Sequence, residues 1–188
     1  EEAEAAKFVD PVTRLASRRA FNKAVAKIYA NPEMPVLCGV AIGEIDDYAR
    51  IQEQMGPAVA ERFLMQVAKV LEAVSGGGDL ACRFDAGRFG LLLYTSDQEE
   101  ISRVVDLVRA KLKATNFVGS SSGARVGQLT MSFGICFSEQ APNAFDFTNF
   151  AEKALATSKS AGGDTVTVYG ANDYVSKDWL IYKKKPVG

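Results

Sequence analysis

Leu80-Ala81-Cys82-Arg83-Phe84-Asp85-Ala86-Gly87-Arg88-Phe89-Gly90-Leu91-Leu92-Leu93-Tyr94 holds two short apolar runs on either side of a polar break. Leu80 to Phe84 and Phe89 to Tyr94 read as strands, and Asp85-Ala86-Gly87-Arg88 as the turn that folds one back on the other. A tight hairpin makes its strands antiparallel, so a purely parallel sheet is excluded whatever lies on either side.

Working upstream, Ser75-Gly76-Gly77-Gly78 stops an amphipathic helix running from about Gly56 to Val74, with Val59, Phe63, Val67, Val70, Leu71 and Val74 on one face. Met55 and Phe63, at helical spacing, are assigned to the core. Before that helix, Val36 to Ile45 is a dense apolar run preceded by Pro35 and closed by Glu44, Asp46 and Asp47, which suits a buried central strand ending in carboxylates. Ser17 is a good N-cap for a helix with Phe21, Ala24, Val25 and Ile28 on its inner face, and Asn31-Pro32 ends it.

Downstream, Asp97 caps a helix with Glu99 and Glu100 in its first turn and Ile101, Val104, Val105, Val108 and Leu112 facing inward. Gly119 to Gly127 reads as a surface loop, Leu129 to Phe137 as a strand, Asp146 to Ser160 as a helix, and Val166 to Tyr169 as a strand after the turn Gly162-Gly163. From Gly170 onward no element is expected, and Lys183 to Lys185 reads as a solvated cluster. Strands and helices thus alternate except at the one hairpin. This order predicts an α+β fold: a central mixed sheet of about five strands with helices packed on it, around a ferredoxin-like split βαβ core.

Composition narrows the chemistry. The chain has 188 residues, 47% of them hydrophobic, enough for one domain with a sizeable core. Lys+Arg 22 against Asp+Glu 23 gives no global basic field, so nucleic acid is not an expected partner. Histidine is absent, which excludes His-based acid-base catalysis, His-containing metal sites and Ser-His or Cys-His nucleophiles. Cys38, Cys82 and Cys136 are odd in number and flanked by apolar residues, the pattern of reduced core thiols in a cytoplasmic protein. No apolar run approaches the length of a membrane span. Glu1 to Ala6, acidic and Ala-rich, reads as the end of an upstream helix.

Asp10-Pro11-Val12-Thr13-Arg14-Leu15-Ala16-Ser17-Arg18-Arg19-Ala20-Phe21 resembles the opening motif of GGDEF domains, Asp-x-Leu-Thr-x-Leu-x-Asn-Arg-Arg followed by an apolar residue. Further matches follow in order: the acidic strand end, the hairpin, Thr130-Met131-Ser132-Phe133-Gly134-Ile135, and Ala151-Glu152-Lys153-Ala154-Leu155 leading to Lys159-Ser160-Ala161-Gly162. The resemblance implies a nucleotide-cyclase-like sandwich over residues 8–170, with 1–7 the end of a linker helix and 171–188 a tail. Active members of that family join two GTP molecules into cyclic-di-GMP with Mg2+, and the resemblance implies a site where the strand end faces the hairpin. Such phosphoryl transfer needs metal ions on the phosphates, held by carboxylates.

By that resemblance the family's metal-binding carboxylates fall on Glu44, with Asp46 two residues on, and on Gly87. The signature Gly-Gly-Asp/Glu-Glu-Phe aligns with Asp85-Ala86-Gly87-Arg88-Phe89, where only the Phe is kept. Arg88 would repel a nearby divalent ion by several kcal/mol at an effective dielectric of about 20. The guanine-reading pair falls on Gln52 and Glu61, the phosphate-contacting basic pair on Lys159 and Gly163, and the product-inhibition motif on Gly76-Gly77-Gly78-Asp79, without its Arg. The expectation is a degenerate GGDEF domain without catalytic residues and with Mg2+ binding lost or weak. It would act as a regulatory or interaction module beside neighbouring domains of a longer cyclic-di-GMP signalling protein. The alternatives are a GTP or cyclic-di-GMP sensor using Gln52, Glu61, Arg88 and Lys159, and a residual cyclase using Glu44 and Asp46. A homodimer is a candidate assembly. Taken without the resemblance, Glu44 and Asp46 also fit a solvated strand end, Arg88 a turn in water, and Gln52 and Glu61 exposed helix positions.

Overall fold

The computed structural model describes residues 1–118, 125–170 and 175–176. In chain order the helices are α1 (Glu2–Ala6), α2 (Arg18–Ile28), α3 (Tyr48–Met55), α4 (Pro57–Val74), α5 (Gln98–Ala114) and α6 (Ala144–Ser160). The strands are β1 (Ala16–Ser17), β2 (Gly39–Ile45), β3 (Leu80–Arg83), β4 (Arg88–Leu93), β5 (Asn116–Val118), β6 (Arg125–Gln128), β7 (Met131–Phe137), β8 (Val166–Val168) and β9 (Val175–Ser176).

One mixed sheet runs in the order β1-β3-β4-β2-β7-β8-β9, and β5 and β6 form a separate pair. β2 lies at its centre, antiparallel to both β4 and β7, so each neighbour hydrogen-bonds one edge of the most apolar strand. The expected five strands are its body, and the two-residue strands β1 and β9 extend its edges. β2 and β3 point the same way with β4 between them, which is the split βαβ arrangement.

Alternation along each strand sends side chains to two cores. Ala41, Ile45, Phe89, Leu91, Met131, Phe133 and Ile135 pack under α4 and α5. Val40, Ile42, Leu92 and Cys136 pack under α2 and α6. Being buried on both faces is why β2 reads as a continuous apolar run rather than as an alternation. Each fully buried Leu, Ile or Phe contributes about 1.5–3 kcal/mol, so these two layers dominate stability. Gly134 lets α6 lie on the sheet, because a Cβ there would overlap the backbone of Ala151 and Leu155. The three cysteines are buried and unpaired, as expected of core thiols. No helix among the described residues is long and apolar enough to cross a membrane.

Several expectations need correction. β2 starts at Gly39 rather than Val36, because Val36 and Leu37 stay exposed while Ser138 takes the Val36 carbonyl and the Cys38 amide. β7 starts at Met131, and α6 starts at Ala144, two residues early, because Asn143 caps it through the Asp146 amide. Met55 ends α3 with its side chain 39% exposed, so it is not core, whereas Phe63 is buried. α3 was not expected, since after Tyr48 its apolar residues Ala49, Ile51 and Met55 are interrupted by Arg50 and Gln52 to Gln54 and form no sustained helical stripe. The Gly119–Gly127 loop falls partly outside the described residues, and its end, with Gly127, belongs to β6. β9 lies in the stretch where no element was expected, pairing antiparallel with β8, and Lys183 to Lys185 fall outside the described residues.

Candidate functional site

The opening motif is a self-closed loop fastened to the hairpin. Asp10 accepts hydrogen bonds from the Thr13 amide (2.8 Å) and hydroxyl (2.7 Å), and its other oxygen accepts from Arg83 Nη1 (3.3 Å). Arg83 Nη2 donates to the carbonyl of Ala86 (2.9 Å), at the tip of the hairpin. Ala86 holds a left-handed backbone, φ 44°, which costs a non-glycine residue energy and needs such support. Burial would raise the Asp10 carboxyl, but the Thr13 bonds and the Arg83 charge outweigh it and hold it below its ordinary value. Arg83 is therefore a positioning residue for the hairpin that the sequence reading passed over.

Glu44 sits near the end of β2, directly across from Arg88 on β4. Its Oε2 takes Lys159 Nζ at 2.9 Å and faces Arg88 Nε at 3.9 Å. Arg88 also reaches Glu152 Oε1 at 3.5 Å, as does Arg18. Arg88 is thus the first residue of a strand inside a charge network, not a turn residue in open water. Its Nε is buried without a hydrogen bond, because the Glu44 oxygen lies beyond bonding range. Lys159 and Arg88 do converge, but on the Glu44 carboxylate.

Asp46 is committed differently. Its Oδ1 accepts from the Ser132 hydroxyl (2.7 Å) and its Oδ2 from the Asp164 amide (2.9 Å), tying the end of β2 to β7 and to the turn before β8. At Gly163, φ +76°, a Cβ would stand about 3.0 Å from this carboxylate, so the turn favours glycine on both counts. Asp164 in turn takes Arg109 and Lys113 from α5 (2.9 and 2.6 Å).

The hairpin turn carries no acid at Gly87. Asp85 and Ala86 are exposed, Phe89 is buried in the core, and Gly87 is buried with its carbonyl accepting from the Ile45 amide. A Cβ on Gly87 would lie 2.8 Å from Cγ of Tyr48, the first residue of α3. Tyr48 is 7% exposed and fills the space that a signature side chain would occupy. Burial raises its phenol, a rise that Arg83 opposes and Glu61 increases.

A cleft of about 490 Å³ opens between these elements, lined by Glu44, Asp46, Asp47, Tyr48, Gln52 and Lys159 together with the glycine turns. Gln52 reaches it from α3; Glu61, exposed on α4, is not in its lining. Asp79 closes its own turn, accepting from the Gly76 and Tyr94 amides (both 2.9 Å). Among the described residues no group of three or more Asp, Glu, Cys or His is placed to hold a metal ion. Of the two carboxylates at the strand end, Glu44 is hydrogen-bonded by Lys159 with the Arg88 charge facing it, and Asp46 is hydrogen-bonded by the Ser132 hydroxyl and the Asp164 amide.

The diguanylate cyclase GGDEF domain family matches residues 7–165. Among curated proteins, the chain is 21% identical over 166 residues to a cyclic di-GMP phosphodiesterase, PdeB, of Shewanella oneidensis, and 23% identical over 150 residues to a diguanylate cyclase, DgcN, of Escherichia coli. These alignments cover 87% and 80% of this chain but only 19% and 36% of those proteins. The coiled coil and GGDEF domain of DgcB from Caulobacter crescentus, solved with c-di-GMP, has the same fold at TM-score 0.83 and 20% identity, covering 89% of this chain and 88% of that one. The GGDEF domain of FimX from Pseudomonas aeruginosa matches at TM-score 0.72 and 21% identity, covering 85% and 98%. With the family match spanning most of its length and the same fold beneath it, the chain belongs to the GGDEF domain family.

Proposed function

We propose that this GGDEF domain is noncatalytic and serves cyclic-di-GMP signalling as a regulatory or interaction module. The observation that carries the reading is the contact between Gly87 and Tyr48: the signature position has no acid, and its space is taken by a ring. The donor set does not fit a divalent ion. Glu44 is held by two cations, and a metal would have to displace Lys159 while Arg88 repelled it. Without an ion to neutralise the phosphates, phosphoryl transfer loses its main source of charge stabilisation. A cytoplasmic setting fits the three buried free thiols. Regulation of a neighbouring phosphodiesterase domain suits a chain that aligns with a fifth of a protein of that name.

The test is incubation of the purified chain with GTP and Mg2+ or Mn2+, with products separated by chromatography. The expected result is unchanged GTP, and accumulating cyclic-di-GMP would overturn the reading.

The open cleft with Gln52 at its wall favours one further reading, a GTP or cyclic-di-GMP sensor without turnover. In that case calorimetric binding would persist without Mg2+ and weaken on Lys159→Ala. Absence of heat with both ligands removes the sensor reading and leaves the interaction module.

A further inference from the structure

Between Pro11 and Pro32 the sequence holds five cations and no acid, in a chain whose formal net charge is -1. Four of them, Arg18, Arg19, Lys23 and Lys27, lie on α2. Arg18 is committed to Glu152, but Arg19, Lys23 and Lys27 make no ion pair among the described residues. Lys23 has a different contact, 5.1 Å from the ring centroid of Phe8. An exposed helix ordinarily relieves such a row with an acid three or four residues away. The helices on the other side of the sheet do so: α4 carries two acids with its two cations, and α5 three acids with its four.

Arg19, Lys23 and Lys27 recur every fourth residue on the exposed side of α2, opposite the buried Phe21, Val25 and Ile28. The row is about 12 Å long and points away from the sheet. None of the exposed large hydrophobics lies on α2, so the row offers charge without an apolar centre. A stable protein interface is built around a desolvated core of aromatic or aliphatic side chains, which this row does not supply. A lipid headgroup layer needs no such core, because its negative surface potential draws in each Lys or Arg that comes within a Debye length. The apolar side of α2 is occupied in the domain's own core, so the attraction brings the helix onto a bilayer and not into it. Helix α6 packs in the same core and exposes Lys153 and Phe145, the latter 76% exposed. An exposed aromatic ring next to a row of cations suits the headgroup boundary.

We propose that the exposed side of α2 binds the surface of an anionic lipid bilayer. Arg19, Lys23 and Lys27 face the lipid phosphates and carboxylates, and Phe145 enters the headgroup layer beside them. The chain without these three cations is net acidic, so this side alone is drawn to the surface, which fixes the orientation of the domain on it. The inference is independent of whether the cleft binds or turns over nucleotide.

The experiment is co-sedimentation of the whole chain with vesicles of phosphatidylcholine alone, or with phosphatidylserine added, at low and at high salt. The chain should pellet with the anionic vesicles at low salt, stay in solution with the neutral ones, and be released by salt. Each cation at such a surface changes partitioning about fivefold, so Arg19→Gln, Lys23→Gln and Lys27→Gln together should weaken binding about a hundredfold. Phe145→Ser should weaken it by a smaller factor, and Lys69→Gln on α4 should leave it unchanged. These residues are exposed, and an unaltered thermal transition checks that each variant is folded. A variant with Lys183→Gln, Lys184→Gln and Lys185→Gln tests the C-terminal cluster of cations and should still bind. Four results would overturn the proposal. The first is no binding to anionic vesicles, and the second is equal binding to neutral ones. The third is binding lost in the C-terminal variant but kept in the α2 variant. The fourth is binding to polyglutamate or duplex DNA but not to vesicles, which would give the row to an acidic protein or to nucleic acid.

Discussion

Two arginines stand at the two ends of one hairpin turn, and they meet opposite fates. Arg83 pairs with Asp10 in a setting where both side chains are 11–14% exposed, and it fixes the loop that opens the domain to the hairpin tip. Arg88 pairs with Glu44, which lines the cleft, where both are 27–30% exposed. The first belongs to the scaffold that opens the domain, the second to the charge network at the candidate site. The difference teaches that scaffold and site lie within five residues of each other: a turn with no acid at Gly87 is still held in place by Arg83.

The largest effect should come from the scaffold side. Asp10→Ala leaves Arg83 without its partner and opens the loop, and is expected to cost about 3 kcal/mol, near the lower limit for breaking a buried pair. Glu44→Ala should stay within about 1 kcal/mol, because its partners remain half in water. Urea denaturation of both variants checks this, and equal losses would break the comparison. The pH dependence has a definite sign. Asp10 is held below its ordinary value of 3.8 in the folded chain, so its contribution is fully present above that value. It is lost as the pH falls through the lower folded value, where the unfolded chain binds more protons. Stability should therefore fall in acid below pH 3.8, with a shallower slope in Asp10→Asn.

Next in size is the contact that closes the signature position. Gly87→Glu is expected to lower stability by about 1–3 kcal/mol through overpacking against Tyr48. In a Tyr48→Ala background the same substitution should cost less, a non-additivity expected of touching residues. Additive melting temperatures would mean that the ring does not guard the position. The smallest effect belongs to Arg88→Ala. It should change stability by less than about 1 kcal/mol and become silent in high salt, since half-exposed ion pairs are weak and screened.

Much of this was legible in the sequence because of periodicity. The inner faces of α4 and α5 repeat at helical spacing, and the hairpin announces itself by two apolar runs around Gly87. Helix α3 was illegible because it spans eight residues, with Tyr48, Ala49, Ile51 and Met55 around a polar middle, too short for a sustained pattern. The strand β9 has two residues and depends on the edge that β8 offers. At the site, residue types could be matched one by one, but their pairings could not. That Glu44 faces Arg88 follows from the register of β2 against β4, and that Lys159 reaches the same oxygen follows from how α6 crosses β7 at Gly134. Tyr48 over Gly87 requires the first residue of an unforeseen helix to meet a turn far along the chain. Such contacts are set by tertiary geometry, which local pattern does not encode.

The central claim, that the site holds no catalytic metal ion, also requires the carboxylates at the end of β2 to be satisfied from within. Titration of the chain with Mn2+, followed by the electron paramagnetic resonance of the free ion, tests this directly. The account predicts no saturable bound fraction, and the same trace for Glu44→Gln. One ion bound per chain at micromolar concentration, and lost in Glu44→Gln, would contradict it.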